Sequence, residues 1–275
     1  MKKNQTQIKK YAAVISIFLA AVIVGLFVFF FCIKRSVEQR SKNTMRNNVV
    51  RQSEHLRTIL DIQYDYLNAL AEEIGKTDHL LAKKNMDLIK SITKHTDFGG
   101  TALIEPNGDA HYDNGLIKNL SHRKYFKEVI SGKRTLSDPL DSSISGSTRV
   151  VLGVPIYNSK HKVIGALGGS YDVTALSRML FEDLFNGQGC SMIIAQNGEI
   201  IAFEGDTSYW NLDYRDNFYK YCCKWIIKDK VTVKKIKQDF KEGKQNLVTA
   251  DSKRQGTRNH YFTYMPMGIN NWTIC

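Results

Sequence analysis

The sequence predicts an α+β protein in which an N-terminal transmembrane helix and a long following helix precede two tandem units built on antiparallel sheets. Three observations carry that prediction. Residues 12–33 form a run of 22 residues without a charged side chain, long enough at about 1.5 Å rise per residue to cross a hydrocarbon layer of roughly 30 Å. Leu56, Ile59, Leu60, Leu67, Leu70 and Ile74 recur at the three-and-four spacing of one helix face. The pattern strand, Asn-Gly turn, strand occurs twice, around Asn107-Gly108 and around Asn197-Gly198. Strands that follow one another through short turns pair antiparallel, with helices packed on one side.

Composition fits a folded chain. With 275 residues, 43% hydrophobic and 24% charged, it is neither disordered nor fibrous, and it has room for one large domain or two small ones beyond a membrane segment. The net charge of +12 points to nucleic acid until it is divided along the chain. Residues 1–51 hold ten Lys or Arg against Glu38 alone, and the remainder holds twenty-nine against twenty-six acids. The basic excess therefore flanks the apolar run, where each basic side chain near the surface gains roughly 1 kcal/mol from anionic lipid head groups. Membrane is an expected partner and nucleic acid is not.

The rival for the apolar run is a cleaved secretory signal, with Lys2, Lys3, Lys9 and Lys10 as its basic region. A signal's apolar core is about 7–15 residues long and ends at small residues. Here the run ends in Phe29-Phe30-Phe31-Cys32-Ile33-Lys34-Arg35, so an uncleaved anchor is the expectation. Lys34, Arg35, Arg40, Lys42 and Arg46 follow the span and rival the basic residues before it, which leaves orientation open on charge alone. Only a short tail, residues 1–11, precedes the span, and everything that can fold lies after it. That places the amino terminus inside and a single-pass protein's folded part outside the cytoplasm.

Residues 34–98 read as a long stalk helix and a helical connection. No proline interrupts the stripe, and a helix continuing to Ile74 would reach roughly 60 Å beyond the bilayer at 1.5 Å per residue. Such a helix serves as stalk and packing surface together, and it is the expected route to a homodimer. A second helix covers Asn85 to Lys94, where Met86, Ile89 and Ile92 or Thr93 share a face.

At Gly99-Gly100 the period changes, and residues 99–180 read as the membrane-distal unit. Thr101 to Glu105 and Ala110 to Tyr112 form a hairpin across Asn107-Gly108, a short helix runs from Ser121 as N-cap to Ser131 with Gly132 as its stop, and two strands, Arg149 to Tyr157 and Val163 to Ser170, follow. Residues 181–275 read as a membrane-proximal unit that looks incomplete at its C-terminal end. It repeats the hairpin at Cys190 to Phe203 and closes with His260 to Met265 and Trp272 to Cys275.

Catalytic signatures are absent from the sequence. HExxH, a Walker A loop, a GxSxG elbow and a metal-spaced carboxylate cluster do not occur, the seven histidines are dispersed, and the five cysteines have neither zinc-like spacing nor the look of a disulfide framework. Ser121-His122-Arg123-Lys124 matches an SxxK pattern but lacks the companion motifs of a serine hydrolase. Gly165, Gly168 and Gly169 lie inside a strand-like segment, which points to close backbone packing rather than a dinucleotide loop. No catalytic residue, metal ligand or cofactor is assigned.

A different assembly is informative. Arg123, Tyr125 and Phe126 are followed by Ser137-Asp138-Pro139, by Arg149-Val150-Val151-Leu152-Gly153-Val154-Pro155-Ile156, and by Ile164-Gly165-Ala166-Leu167-Gly168-Gly169-Ser170-Tyr171-Asp172-Val173. In this order the residues resemble the double Cache family, extracytoplasmic sensor modules of bacterial chemoreceptors, histidine kinases and cyclic-dinucleotide enzymes, over residues 36–275. The resemblance implies two stacked PAS-like units on a long helix, with small molecules held in the membrane-distal one. In amino-acid-binding members an arginine grips the ligand carboxylate and an aspartate its ammonium, and the matching positions are Arg123 and Asp172. A guanidinium offers a carboxylate a bidentate fork, which makes that assignment physically sensible.

Tyr112, Tyr125 and Phe126 would wall the site, and Arg149 completes the candidate ligand-binding set. The chain departs from the amino-acid-sensing pattern, with Tyr125-Phe126 in place of Trp-Tyr and Lys118 in place of a tyrosine five positions before the arginine. The expected partner is therefore a small polar or carboxylated metabolite. For Arg123 and Asp172 the alternative is a structural ion pair.

The resemblance implies a receptor's sensor part, closest in style to the sensor halves of GGDEF-type diguanylate cyclases, although no GGDEF-like residues are present and no output domain is read in this chain. Two other functions compete. One is a membrane-tethered hydrolase using Ser121 or His122, and the other is a structural ectodomain that dimerises through the stripe from Leu56 to Ile74.

Overall fold

The computed structural model describes residues 2–77, 79–141, 148–173, 177, 190–205, 217–253 and 259–275. The expected boundary between the two sheet units, at 180/181, lies outside these residues. The chain divides into two compact units, 1–48 and 49–275. Helix α1 (Lys2–Gly75) supplies the whole described part of the first and enters the second. In the first unit every side chain from Ile15 to Ile33 is exposed, and α1 is the one helix among the described residues long and apolar enough to cross a membrane.

In the second unit α1 buries Val49, Leu56, Leu60, Tyr64, Leu67, Ala71 and Ile74, a row spaced by three, four and seven residues. Gly75, the last residue of the helix, is a glycine for a steric reason. A Cβ there would collide with the carbonyl oxygen of Tyr157, so the strand carrying Tyr157 fits only against a glycine. The Thr77 hydroxyl then donates to the Ile74 carbonyl at 2.6 Å, satisfying one orphan acceptor of the last turn. The stripe expected as a dimer interface is consumed inside the chain: Leu56, Leu67 and Ile74 are at most 1% exposed. Among the large apolar residues of α1 beyond residue 48, Ile62 and Tyr66 are the exposed ones.

Helix α2 (Lys83–His95) starts two residues before the expected position and buries Asn85, Ile89 and Ile92. Asn85 Nδ2 donates to Thr77 Oγ1 at 2.8 Å and to the Leu80 carbonyl at 3.0 Å, which ties the loop from α1 to the new helix.

The first sheet contains β1 (Gly100–Ile104), β2 (Asp109–Tyr112), β3 (Ile117–Asn119), β4 (Thr135–Leu136), β5 (Leu140–Asp141), β6 (Thr148–Tyr157) and β7 (Val163–Asp172). Their order is β3-β2-β1-β7-β6-β4, with β5 also paired to β6, and every pairing is antiparallel. Gly108, at φ +95°, makes the expected turn between β1 and β2. Helix α3 (Lys124–Ile130) is shorter than expected: Arg123, not Ser121, is its N-cap residue, and the Ser121 hydroxyl donates to Asn119 Oδ1 instead. The local bond to Asn119 wins because Ser121 lies two residues past β3 and is still in the turn that leaves the sheet.

The second sheet contains β8 (Cys190–Ile194), β9 (Ile200–Gly205), β10 (Asn246–Asp251), β11 (Asn259–Pro266) and β12 (Thr273–Ile274), in the order β10-β11-β12-β8-β9. Read from its hairpin, β9-β8-β12-β11-β10 matches β2-β1-β7-β6-β4, so both units share one PAS-like strand order. Between β9 and β11, where the sequence reading assigns no element, lie α4 (Phe218–Tyr221), a π-helical turn (Cys222–Ile226), α5 (Lys230–Glu242) and β10. They close an aromatic core in which Phe218 stacks on Phe240 at 6.1 Å and Phe240 meets Tyr264 edge-on at 5.2 Å.

One hydrophobic cluster joins the two sheets through α1. It contains Leu67 and Ile74 of the helix, Leu103, Leu152 and Leu167 of the first sheet, and Ile193 and Ile274 of the second. Polar ties supplement it. Trp272 Nε1 donates to Asp138 Oδ1 at 2.8 Å, Arg57 Nε donates to the Met267 carbonyl at 2.7 Å, and Asn270 Nδ2 donates to the Leu136 carbonyl.

Candidate functional site

Strand alternation gives the first sheet two different faces. Leu103, Leu152, Leu167 and Tyr171 point toward α1 and α2, whereas Ala102, Ile104, Val151 and Ala166 face α3. On the α3 side the chain leaves a recess. It is lined by Gly100, Ala102, Ile104, Arg149, Val151, Gly168 and Ser170 from β1, β6 and β7, and closed by Tyr112, Leu120, Arg123, Tyr125 and Leu140. The empty space is about 570 Å³ including its open mouth, of which about 50 Å³ admits the centre of a water molecule.

The three glycines of β7 are divided between the two faces of the sheet. A Cβ on Gly169 would run into the Phe98 ring, and one on Gly165 would lie 2.6 Å from Leu80 Cδ2 and 2.7 Å from the Ile104 carbonyl oxygen, so both positions record close packing as expected. Gly168 differs. Its Cβ would meet nothing closer than 3.6 Å, and the position serves the recess.

Arg149 is held before any ligand arrives. Its Nη1 donates to the Gly99 carbonyl at 2.7 Å and to Ser170 Oγ at 3.1 Å, while Ser170 Oγ in turn donates to the Gly100 carbonyl at 3.1 Å. Arg123 reaches the recess from the N-cap of α3, where φ −76° and ψ 135° keep its backbone extended and its N–H donates to the Leu120 carbonyl at 2.9 Å. Its guanidinium has no hydrogen-bond or ion-pair partner among the described residues.

The tyrosines report the local field. Burial pushes the Tyr112 hydroxyl above its ordinary pKa of 10.0, and the guanidinium charges of Arg123 and Arg149 oppose that rise. Tyr125 is pushed higher by burial and by the neighbouring Tyr112, with Arg123 again opposing. Both hydroxyls therefore stay protonated donors at neutral pH, beside two fixed cations.

Of the six residues named from sequence, Tyr112, Arg123, Tyr125 and Arg149 meet at this recess. Phe126 and Asp172 stand apart. Phe126 is 5% exposed and packs into the core between α3 and the sheet. Asp172 is opposite Arg149 in the β6–β7 register, half-buried, and one alternation beyond Ser170, outside the lining. Arg123 and Asp172 make no ion pair with each other. Val151, Gly168 and Ser170 are not among the ligand-binding candidates read from the sequence, where Gly168 is assigned to close backbone packing, yet the period of two supplies them once Arg149 is placed on the recess face.

Comparison with known proteins gives one consistent result. The family model described as Cache domain matches residues 33–275. No curated protein sequence matches the chain. Among solved structures, an extracellular domain assigned to histidine kinase rpHK1S-Z16 superposes with a TM-score of 0.64 at 13% identity, covering 86% of this chain and 92% of the other. The ligand-binding domain of the Campylobacter jejuni chemoreceptor Tlp3 with 4-methylisoleucine gives 0.60 at 11% identity, covering 84% and 88%. That of the Pseudomonas fluorescens chemoreceptor CtaA with L-alanine gives 0.60 at 16% identity, covering 84% and 94%.

Proposed function

The chain belongs to the Cache domain family, and from that premise we propose that it is a membrane-anchored sensor whose recess in the first sheet unit binds a small polar or carboxylated metabolite on the extracytoplasmic side. Residues 12–33 of α1 anchor it in this reading. Arg123 grips the ligand carboxylate, Arg149 adds a second positive charge, and Tyr112 and Tyr125 shield the pair from water. Phe126 supports the wall from behind, and Asp172 acts from the rim.

The observation that carries the proposal is the Arg123 guanidinium, placed without a protein partner at an aromatic-walled recess. A half-buried cation left alone is costly, and a ligand carboxylate is the group that would complete it. The ligands named for the Tlp3 and CtaA structures are amino acids and so carry a carboxylate. Binding then acts as a sensor must, by favouring one of two arrangements of residues 49–275 in proportion to its differential affinity.

A thermal-shift screen of the full chain in detergent micelles, against carboxylates, amino acids, amines and purines, tests this. A ligand at about 100 times its dissociation constant adds roughly 2.7 kcal/mol, which is a shift of several degrees. The expected result is a hit among carboxylates that Arg123→Ala abolishes while the variant keeps its circular dichroism spectrum. A silent panel, or a hit indifferent to Arg123→Ala, overturns the assignment.

A further inference from the structure

The second sheet unit carries a concentration of positive charge that the recess does not use. Residues 220–241 hold eight lysines against two acids, Asp229 and Asp239. Both acids are engaged within the fold. Asp229 caps α5 by accepting from the Val231 and Thr232 N–H groups at 2.8 and 3.1 Å, and Asp239 is buried against Tyr264 and Asn246. On α5, Lys230, Lys234, Lys237 and Lys241 recur at spacings of four, three and four, so they share one side of the helix, and all four are exposed.

This stripe does nothing for the helix itself. Like charges three and four residues apart repel, and Lys230 places a cation in the first turn, at the positive end of the helix dipole. The ion pair between Lys244 and Glu242 involves none of the four, and they make no other ion pair among the described residues. Beside the stripe stand two large apolar side chains with no core to enter, Trp225 at 53% exposure and Val231 at 70%. Trp225 belongs to the π-helical turn against which α5 packs. Lys224 Nζ lies 4.7 Å from the centre of its ring, and Lys253 Nζ donates to the Cys223 carbonyl in the same turn.

We propose that this surface of the second sheet unit rests on an anionic lipid surface, with the lysines at the head-group phosphates and Trp225 and Val231 at the boundary with the acyl chains. A soluble polyanion would be met by the lysines alone, whereas an exposed tryptophan among cations suits a layer that is charged outside and apolar beneath. The chain brings this unit to such a layer. Ser191 and Met267 of the second sheet unit bond Gln52 and Arg57, on the part of α1 nearer in sequence to the apolar run, whereas Arg134 and Tyr157 of the first unit meet Tyr64 and Gly75. The proposal goes beyond the sensor reading and concerns a different surface from the recess.

The test uses the full chain in nanodiscs of zwitterionic phosphatidylcholine, mixed with vesicles of phosphatidylcholine alone or with phosphatidylglycerol, and measures co-flotation. Binding is expected to the anionic vesicles only. Replacing Lys230, Lys234 and Lys241 together by glutamine should weaken it at least about tenfold, and Trp225→Ala, at constant charge, at least about threefold, with circular dichroism spectra unchanged. The basic residues flanking the apolar run are common to every variant and cannot produce these differences. Equal binding to both vesicles, or binding indifferent to the glutamine substitutions or to Trp225→Ala, overturns the proposal. So does capture of polyglutamate or polyphosphate by the lysines while the anionic vesicles are ignored, which would assign the surface to a soluble polyanion. None of these variants touches Arg123, so failure here leaves the sensor reading standing, and a silent ligand screen leaves this surface standing.

Discussion

Asp239 is 6% exposed, and its environment keeps it ionised. Burial alone would raise its pKa, but hydrogen bonds from Tyr264 Oη at 2.5 Å and Asn246 Nδ2 at 2.9 Å, with the charges of Lys235 and Lys244, outweigh burial and hold the carboxyl below its ordinary value of 3.8. A depressed folded pKa stabilises above the unfolded value and is lost as pH falls through the folded one. Stability should therefore decline on acidification below about pH 4. Asp239→Asn should flatten that part of the profile, measured by urea titration of the full chain between pH 3 and 6; an unchanged slope would show that Asp239 does not set it. At this same scale the recess is partly legible. Arg123 is named as the position that matches the family's ligand-binding arginine and it does line the recess, whereas the inward turn of Phe126 depends on α3 starting at Lys124.

Single elements show local preference and packing in competition. Alanine is the better helix former, so propensity alone would credit Gly75→Ala with up to about 1 kcal/mol of stabilisation. The end of β6 reverses the sign. The new Cβ meets the Tyr157 carbonyl, and overpacking against backbone costs typically about 1–3 kcal/mol. Gly75→Ala should lower the melting temperature, and a raised value in differential scanning calorimetry would show that β6 can yield. The hairpins were readable because Asn-Gly fixes a turn within four residues, and Gly108 and Gly198 both have φ above +90°. The start of α3 was not readable. Ser121 is a good capping residue in isolation, but Asn119 at the end of β3 takes its hydroxyl, and only the strand pairing of β2 with β3 puts Asn119 there.

At the scale of the molecule, one core spans both sheets. Leu67 is fully buried in the cluster that α1 shares with the first and second sheets. Leu67→Ala should cost about 2–5 kcal/mol and shift a single melting transition of both units together. Two separated transitions, followed by circular dichroism and tryptophan fluorescence, would show that the sheets are stabilised independently. The sequence by itself determined the apolar run, the helical stripe, the two hairpins and the choice of Tyr112, Arg123, Tyr125 and Arg149, which line the recess. Each of these is a local pattern, set by spacing of a few residues along one element. Tertiary structure decided that the stripe is used up within the chain, that Asp172 lies outside the recess while Ser170 lines it, and that α5 closes the second core. Those outcomes follow from which faces meet, and strands such as β1 and β7, more than 60 residues apart, meet only through pairing that neither one encodes alone.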